Sequence, residues 1–105
     1  MAATKPQIHG VHGLFHFSVT IHTRDVAIVY CLRALAEFSQ KEINPRIAWG
    51  GTKDEDWQRD GNKVTFHFSG LEHRETFLRH AGRLLPSGLW SETTRRDDDP
   101  ARPQS

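Results

Sequence analysis

From Leu14 to His22 apolar and polar residues take strict turns: Phe15, Phe17, Val19 and Ile21 fall on one side, and His16, Ser18, Thr20 and His22 on the other. A period of two over this length belongs to a strand with one buried face. The same pattern returns at Val64, Phe66 and Phe68, set against Lys63, Thr65 and His67. Each segment then runs into a stretch with helical spacing. A chain built this way is expected to form a sheet that is covered by helices on one side and open on the other.

The intervening residues fill in the order. Thr23 can cap a helix over Arg24 to Lys41, whose interior (Val26 to Leu32, then Ala34, Leu35, Ala36 and Phe38) is apolar almost all round. That is broader than one face packed on a sheet requires. Ile43, Ile47 and Trp49 alternate with Asn44, Arg46 and Ala48, which predicts a second strand with Pro45 near its start and Gly50-Gly51 at its end. A polar loop around Asp54-Glu55-Asp56 follows, with Trp57 expected to fold back over the core. Asp60-Gly61 signals a tight turn into the third strand. Ser69 and Glu72 have capping-box spacing. Beyond them Phe77, Leu78, Ala81, Leu84 and Leu85 mark a second helix, with His73, His80, Arg74, Arg79 and Arg83 on its wet side. Pro86 to Gly88 ends it, and Leu89 to Thr93 suggests a fourth strand.

The order βαββαβ predicts an α+β fold, a ferredoxin-like two-layer sandwich with antiparallel sheet order 4-1-3-2 and both helices on one face. Pro45 then falls on an edge strand, where a missing backbone donor is tolerated. Residues 1–13 read as a mobile N-terminal tail. After Trp90 the only apolar residue is Ala101, so 94–105 read as a disordered C-terminal tail and 14–93 as the single domain.

Charge and cysteine content narrow the function classes. Lys and Arg number 14 against 13 Asp and Glu, a net charge of +1 that gives little steering toward nucleic acid or a membrane surface. The single cysteine, Cys31, rules out an intrachain disulfide and is expected to be a small buried hydrophobe. A cytoplasmic location is expected. His9, His12 and His16 are spaced three and four apart, with His22 beyond. With one cysteine in an apolar helix they make no zinc set. The acidic loop lacks the alternating ligands of a calcium site. No metal and no cofactor are expected.

Phe15-His16-Phe17-Ser18 recurs as Phe66-His67-Phe68-Ser69. In the expected topology these strands are antiparallel neighbours. A register with His16 opposite His67 also sets Ser18 opposite Thr65 and Thr20 opposite Lys63. Arg46 would share that open polar face. The paired segments resemble the His-x-Ser/Thr motifs of the 2H phosphoesterase family. The resemblance implies His16 and His67 as acid and base, with Ser18 and Ser69 holding phosphate; Ser69 is also wanted as a helix cap. RNA-recognition modules use an open sheet of this kind, but with stacking aromatics where this chain has His16 and His67. Nucleic acid is therefore a further alternative rather than the expected partner.

The reading favoured by these features is a small non-catalytic binding protein that self-associates as a homodimer. It would act through the open sheet face, with Ser18, Thr20, Arg46, Lys63, Thr65 and Ser69 as candidate ligand contacts, or through the broad apolar first helix. An enzyme using His16 and His67 is the rival.

Overall fold

The computed structural model describes residues 14–40 and 52–101. Strand β1 (Phe17–His22) leads into helix α1 (Val26–Ser39). A short helix α2 (Asp54–Arg59) precedes strand β2 (Lys63–Phe68). Helix α3 (Leu71–Leu84), a single 3-10 turn (Ser87–Leu89) and strand β3 (Ser91–Arg96) complete the order. The sheet is antiparallel, with β1 between β2 and β3. This is an α+β arrangement in which three strands take the order β2-β1-β3 and α1 packs against α3. The second strand expected at 43–49, with Pro45, Arg46 and Trp49, lies outside the described residues, as do residues 1–13. The four-strand order 4-1-3-2 is therefore not shown.

One apolar cluster joins the layers. Val19 and Ile21 of β1 and Val64, Phe66 and Phe68 of β2 meet Ile28, Val29 and Leu32 of α1 and Phe77 and Ala81 of α3. Each large side chain so buried contributes roughly 1.5–3 kcal/mol. The Phe77 ring stands 5.1 Å from that of Phe66 and 5.2 Å from that of Phe68, centroid to centroid, so α3 is keyed to β2 by aromatic contact. Trp57 folds back into the cluster from α2 and donates its indole N–H to the Thr23 carbonyl at 2.8 Å. Helix α2 replaces the expected polar loop. At six residues with one buried side chain it is too short to show a helical period.

The register of β1 on β2 differs from the expected one by two residues. Ser18, not His16, stands opposite His67; Thr20 opposes Thr65 and His22 opposes Lys63. A slip of two keeps every side chain on its own face, so alternation alone does not separate the two registers. The observed one sets Phe17 against Phe68, Val19 against Phe66 and Ile21 against Val64. The other would have left Ile21 opposite Asn62. Gly61 and Asn62, at φ 74° and 65°, make the left-handed turn into β2, and Asn62 accepts from the Thr23 N–H at 3.0 Å. The observed register also places Phe17 and Phe68, equivalent positions of the two similar segments, face to face.

Both expected caps are corrected. Asp25, not Thr23, caps α1 by accepting from the Ala27 N–H at 2.9 Å. Thr23 instead donates its hydroxyl to the Leu89 carbonyl at 2.7 Å. Gly70, not Ser69, is the N-cap of α3, and no side chain caps it. Gln40 claims Ser69: its Nε2 donates to the Ser69 hydroxyl at 2.7 Å, and its Oε1 accepts from the Ser69 N–H at 3.1 Å.

The expected end of order at Thr93 also moves. Strand β3 runs to Arg96 although all six of its residues are exposed. It is held by backbone pairing to β1 and by charge: Arg95 donates to Glu92 at 2.6 and 2.8 Å and to Glu75 of α3 at 3.2 Å. Beyond it, Asp99 N–H donates to the His16 carbonyl at 2.9 Å and Ala101 N–H to the Phe15 carbonyl at 2.8 Å. Ala101 covers Phe15, which is wholly buried.

Candidate functional site

The polar side chains of β1 and β2 share one face, and three of those singled out, His16, Ser18 and His67, are already engaged by the chain's own last described segment. The Ser18 hydroxyl, on a residue only 2 % exposed, donates to Asp99 Oδ2 at 2.8 Å. His67 Nε2 lies 3.5 Å from the same oxygen. His16 donates its Nδ1 proton to the Asp97 carbonyl at 2.7 Å, an acceptor-only partner that fixes the tautomer. Thr20 and Thr65 share a hydrogen bond of 2.8 Å across the strands. Lys63 is exposed beside His22 at the end of the ladder. Ser69 is held by Gln40, and Arg46 lies outside the described residues. Ser18 and His67 are thus brought together around a carboxylate, and Ser69 is not part of that group.

That arrangement is closed on itself. A carboxylate faces Ser18 and His67 where an incoming anion would have to bind, and the two serine hydroxyls hold protein partners. Among the described residues no group of three His, Cys, Asp or Glu side chains could hold a metal ion.

Arg74 underlies the same segment from the helix side. It is 3 % exposed, with Nη1 donating to the carbonyls of Ser18 at 3.1 Å and Arg96 at 2.8 Å and Nη2 paired with Asp97 at 2.8 Å. Its guanidinium carbon lies 5.9 Å from the centroid of the Phe17 ring. Sequence reasoning placed Arg74 on the wet face of α3. His80, placed there too, meets Phe38 of α1 edge-on at 5.6 Å.

Helix α1 presents a different surface. Ile28, Val29, Leu32, Ala36 and Ser39 are buried, while Ala27, Tyr30, Cys31, Ala34 and Phe38 are exposed. Those five positions follow i, i+3, i+4, i+7 and i+11, so they form one stripe along the solvent side. Cys31 is exposed within it, contrary to the expected burial. The breadth of the apolar pattern was visible in the sequence; which side would stay uncovered was not.

A third feature had no sequence signal. A cleft of about 970 Å³ opens where β1 runs into α1, between that junction, α2 and the 3-10 turn before β3. Trp57, Trp90, Tyr30, Asp25 and Asp54 line it. The Tyr30 hydroxyl donates to Asp54 Oδ2 at 2.6 Å. That hydrogen bond, helped by the nearby negative charge, holds the phenol pKa above its ordinary value. These residues come from three separate segments, so no local motif announces them.

Among the described residues no helix is long and apolar enough to cross a membrane. Comparison with known proteins finds no matching family model, no matching curated protein and no matching solved structure.

Proposed function

We propose that this protein is a small non-catalytic interaction module that self-associates through α1. The observation that carries the reading is the exposed stripe Ala27, Tyr30, Cys31, Ala34 and Phe38. An apolar face left uncovered by the fold is the ordinary mark of an association surface. A second copy suits it for three reasons. The small residues Ala27, Cys31 and Ala34 allow two helices to approach closely, and Tyr30 and Phe38 supply area at their flanks. Antiparallel pairing about a twofold axis brings Arg24, before the helix, toward Glu37 near its end. It also opposes the two helix dipoles favourably. The stripe is about 16 Å long at 1.5 Å per residue, which falls short of a standard interface, so we expect a weak dimer, with a dissociation constant of about 10 µM.

The engagement of Ser18 by Asp99 and of Ser69 by Gln40, with a carboxylate set between Ser18 and His67, favours this binding role over phosphoester hydrolysis. We also read the sheet as the larger part of a ferredoxin-like sandwich, with 43–49 as the strand beside β2. The supporting observation is that β2 pairs on one side only among the described residues.

The deciding experiment is sedimentation equilibrium at about 100 µM, where a dimer of roughly 10 µM affinity is mostly formed. The native chain should sediment at twice its monomer mass. Ala34→Arg, at an exposed position outside the core, should return it to monomer without lowering its helix content. Mild oxidation should link two Cys31 residues in the native dimer and not in Ala34→Arg. A native chain that stays monomeric at that concentration overturns the proposal, as does an Ala34→Arg chain that still dimerises.

A further inference from the structure

The cleft at the end of the sheet is built rather than incidental. Thr23 lies at its base, 1 % exposed, and ties three walls together. Its hydroxyl donates to the Leu89 carbonyl and accepts from the Asp25 N–H at 3.2 Å, while its carbonyl accepts from Trp57. Trp57 is anchored again through its own carbonyl, which accepts from the Asn62 N–H at 2.8 Å. The aromatic walls are therefore positioned before any ligand arrives, which lowers the cost of binding one. A volume near 970 Å³ suits a small molecule.

The two acids that line the cleft are not tied into ion pairs, a condition they share among the described acids with Glu37, Glu55 and Asp98. Asp56, Asp97, Asp99 and Glu92 each have a basic partner. Asp25 and Asp54 have none among the described residues. Asp25 uses one oxygen to cap α1, and Asp54 uses one to accept from Tyr30. Arg24 also lines the cleft and pairs with neither. Two carboxylates without counter-ions therefore stand beside Tyr30, Trp57 and Trp90. A phenol held protonated keeps donating to Asp54 and does not add a competing charge.

We propose that this cleft binds a small organic cation, an ammonium or guanidinium on an apolar stem, with the charge against Asp54 and Asp25 and the stem against Trp57 and Trp90. Carboxylates supply the charge complement. Aromatic rings attract the cation through their electron-rich faces and cover the methylenes. This site shares Tyr30 and Arg24 with the proposed α1 interface, so binding is followed at Trp57 and Trp90, which lie outside that interface.

The test titrates the full chain with agmatine and cadaverine, following the indole N–H signals of Trp57 and Trp90 by NMR. Pentanediol and glutarate, similar in length but neutral and anionic, are run in parallel. Saturable shifts at both indoles are expected with the two cations and not with the other two compounds. Asp54→Asn keeps an acceptor for Tyr30 and should weaken cation binding about tenfold, whereas Arg24→Gln, which removes a like charge from the rim, should tighten it about threefold. Asp98→Asn, an exposed acid elsewhere, should leave the affinity unchanged. The proposal fails if no cation shifts the indoles saturably, or if pentanediol or glutarate binds equally well. It fails too if Arg24→Gln and a folded Asp54→Asn both match the native chain. Should Asp54→Asn not fold, the Arg24→Gln arm decides alone.

Discussion

At the scale of single residues, Arg74 carries more of the structure than its position in the sequence suggests. Its guanidinium satisfies two strand carbonyls, pairs with Asp97 and packs over Phe17, all from inside the protein. Removing it strips the Ser18 and Arg96 carbonyls of a charged donor and opens space above a ring. Arg74→Met should therefore cost about 2–4 kcal/mol of unfolding free energy. Arg74→Lys should recover part of this, since an ammonium reaches one of the carbonyls but lacks the planar fork. Urea unfolding of the three proteins checks both; a native-like midpoint for Arg74→Met would show the contacts to be dispensable. None of this was legible beforehand. An arginine beside His73 and Glu75 reads as solvent-facing, and its partners lie at positions 18, 96 and 97. The faces of Phe66 and Phe68, by contrast, followed from alternation, because burying one side of a strand leaves a period-two trace. The partners of Ser18 and Ser69 left no such trace. A hydroxyl bonds equally well to a cap, a glutamine or an aspartate, and only the register decides which is near.

At the scale of elements, β1, β2, α1 and α3 were readable because each buries apolar side chains at its own period. Strand β3 was legible only in its first half: Leu89 to Thr93 suggested a strand, but Thr94 to Arg96 read as a tail, since all six residues of Ser91–Arg96 are exposed. Thr93 adds to the difficulty: the pairing with β1 shifts between Thr20 and Ile21, so the strand has no regular alternation to detect. What fastens β3 besides its backbone is charge, and charge titrates. Two hydrogen bonds from Arg95 hold the Glu92 carboxyl below its ordinary value of 4.5. In the interval between the folded and unfolded values the unfolded chain binds more protons, so stability rises with pH there. The contribution is complete above the ordinary value and disappears as pH falls through the folded one. Glu92→Gln should flatten the acid limb of the stability curve below about pH 4.5 and leave its slope near neutrality unchanged. The loss at neutral pH should be only a few tenths of a kcal/mol, because the pair is largely exposed. Chemical denaturation at a series of acid pH values measures it, and parallel acid limbs for the two proteins would remove Glu92 from the account.

At the scale of the whole molecule, the two ends of the described chain fasten each other. Phe15 and His16 precede β1, and Asp97 to Ala101 follow β3; the segments meet through backbone hydrogen bonds, the Ser18–Asp99 contact and the Phe15–Ala101 packing. Phe15 lies outside the main apolar cluster, so its burial depends on this closure rather than on the helices. A chain shortened to end at Arg96 should keep its sheet and both long helices, because the main cluster is untouched. It should nevertheless lose about 2–3 kcal/mol, the worth of a buried phenylalanine together with the Asp99 hydrogen bond. Ala101→Asp should reproduce much of that loss in the full-length chain by setting a charge against Phe15. Adding Phe15→Ser to the shortened chain should then cost little more, since the ring is already exposed. That near-zero increment is the sharp part of the expectation, because contacts that act through one closure do not add. A full additional 2–3 kcal/mol in the double variant, read from urea midpoints, would mean that Phe15 is buried by the rest of the fold and that the ends do not act as a single clasp.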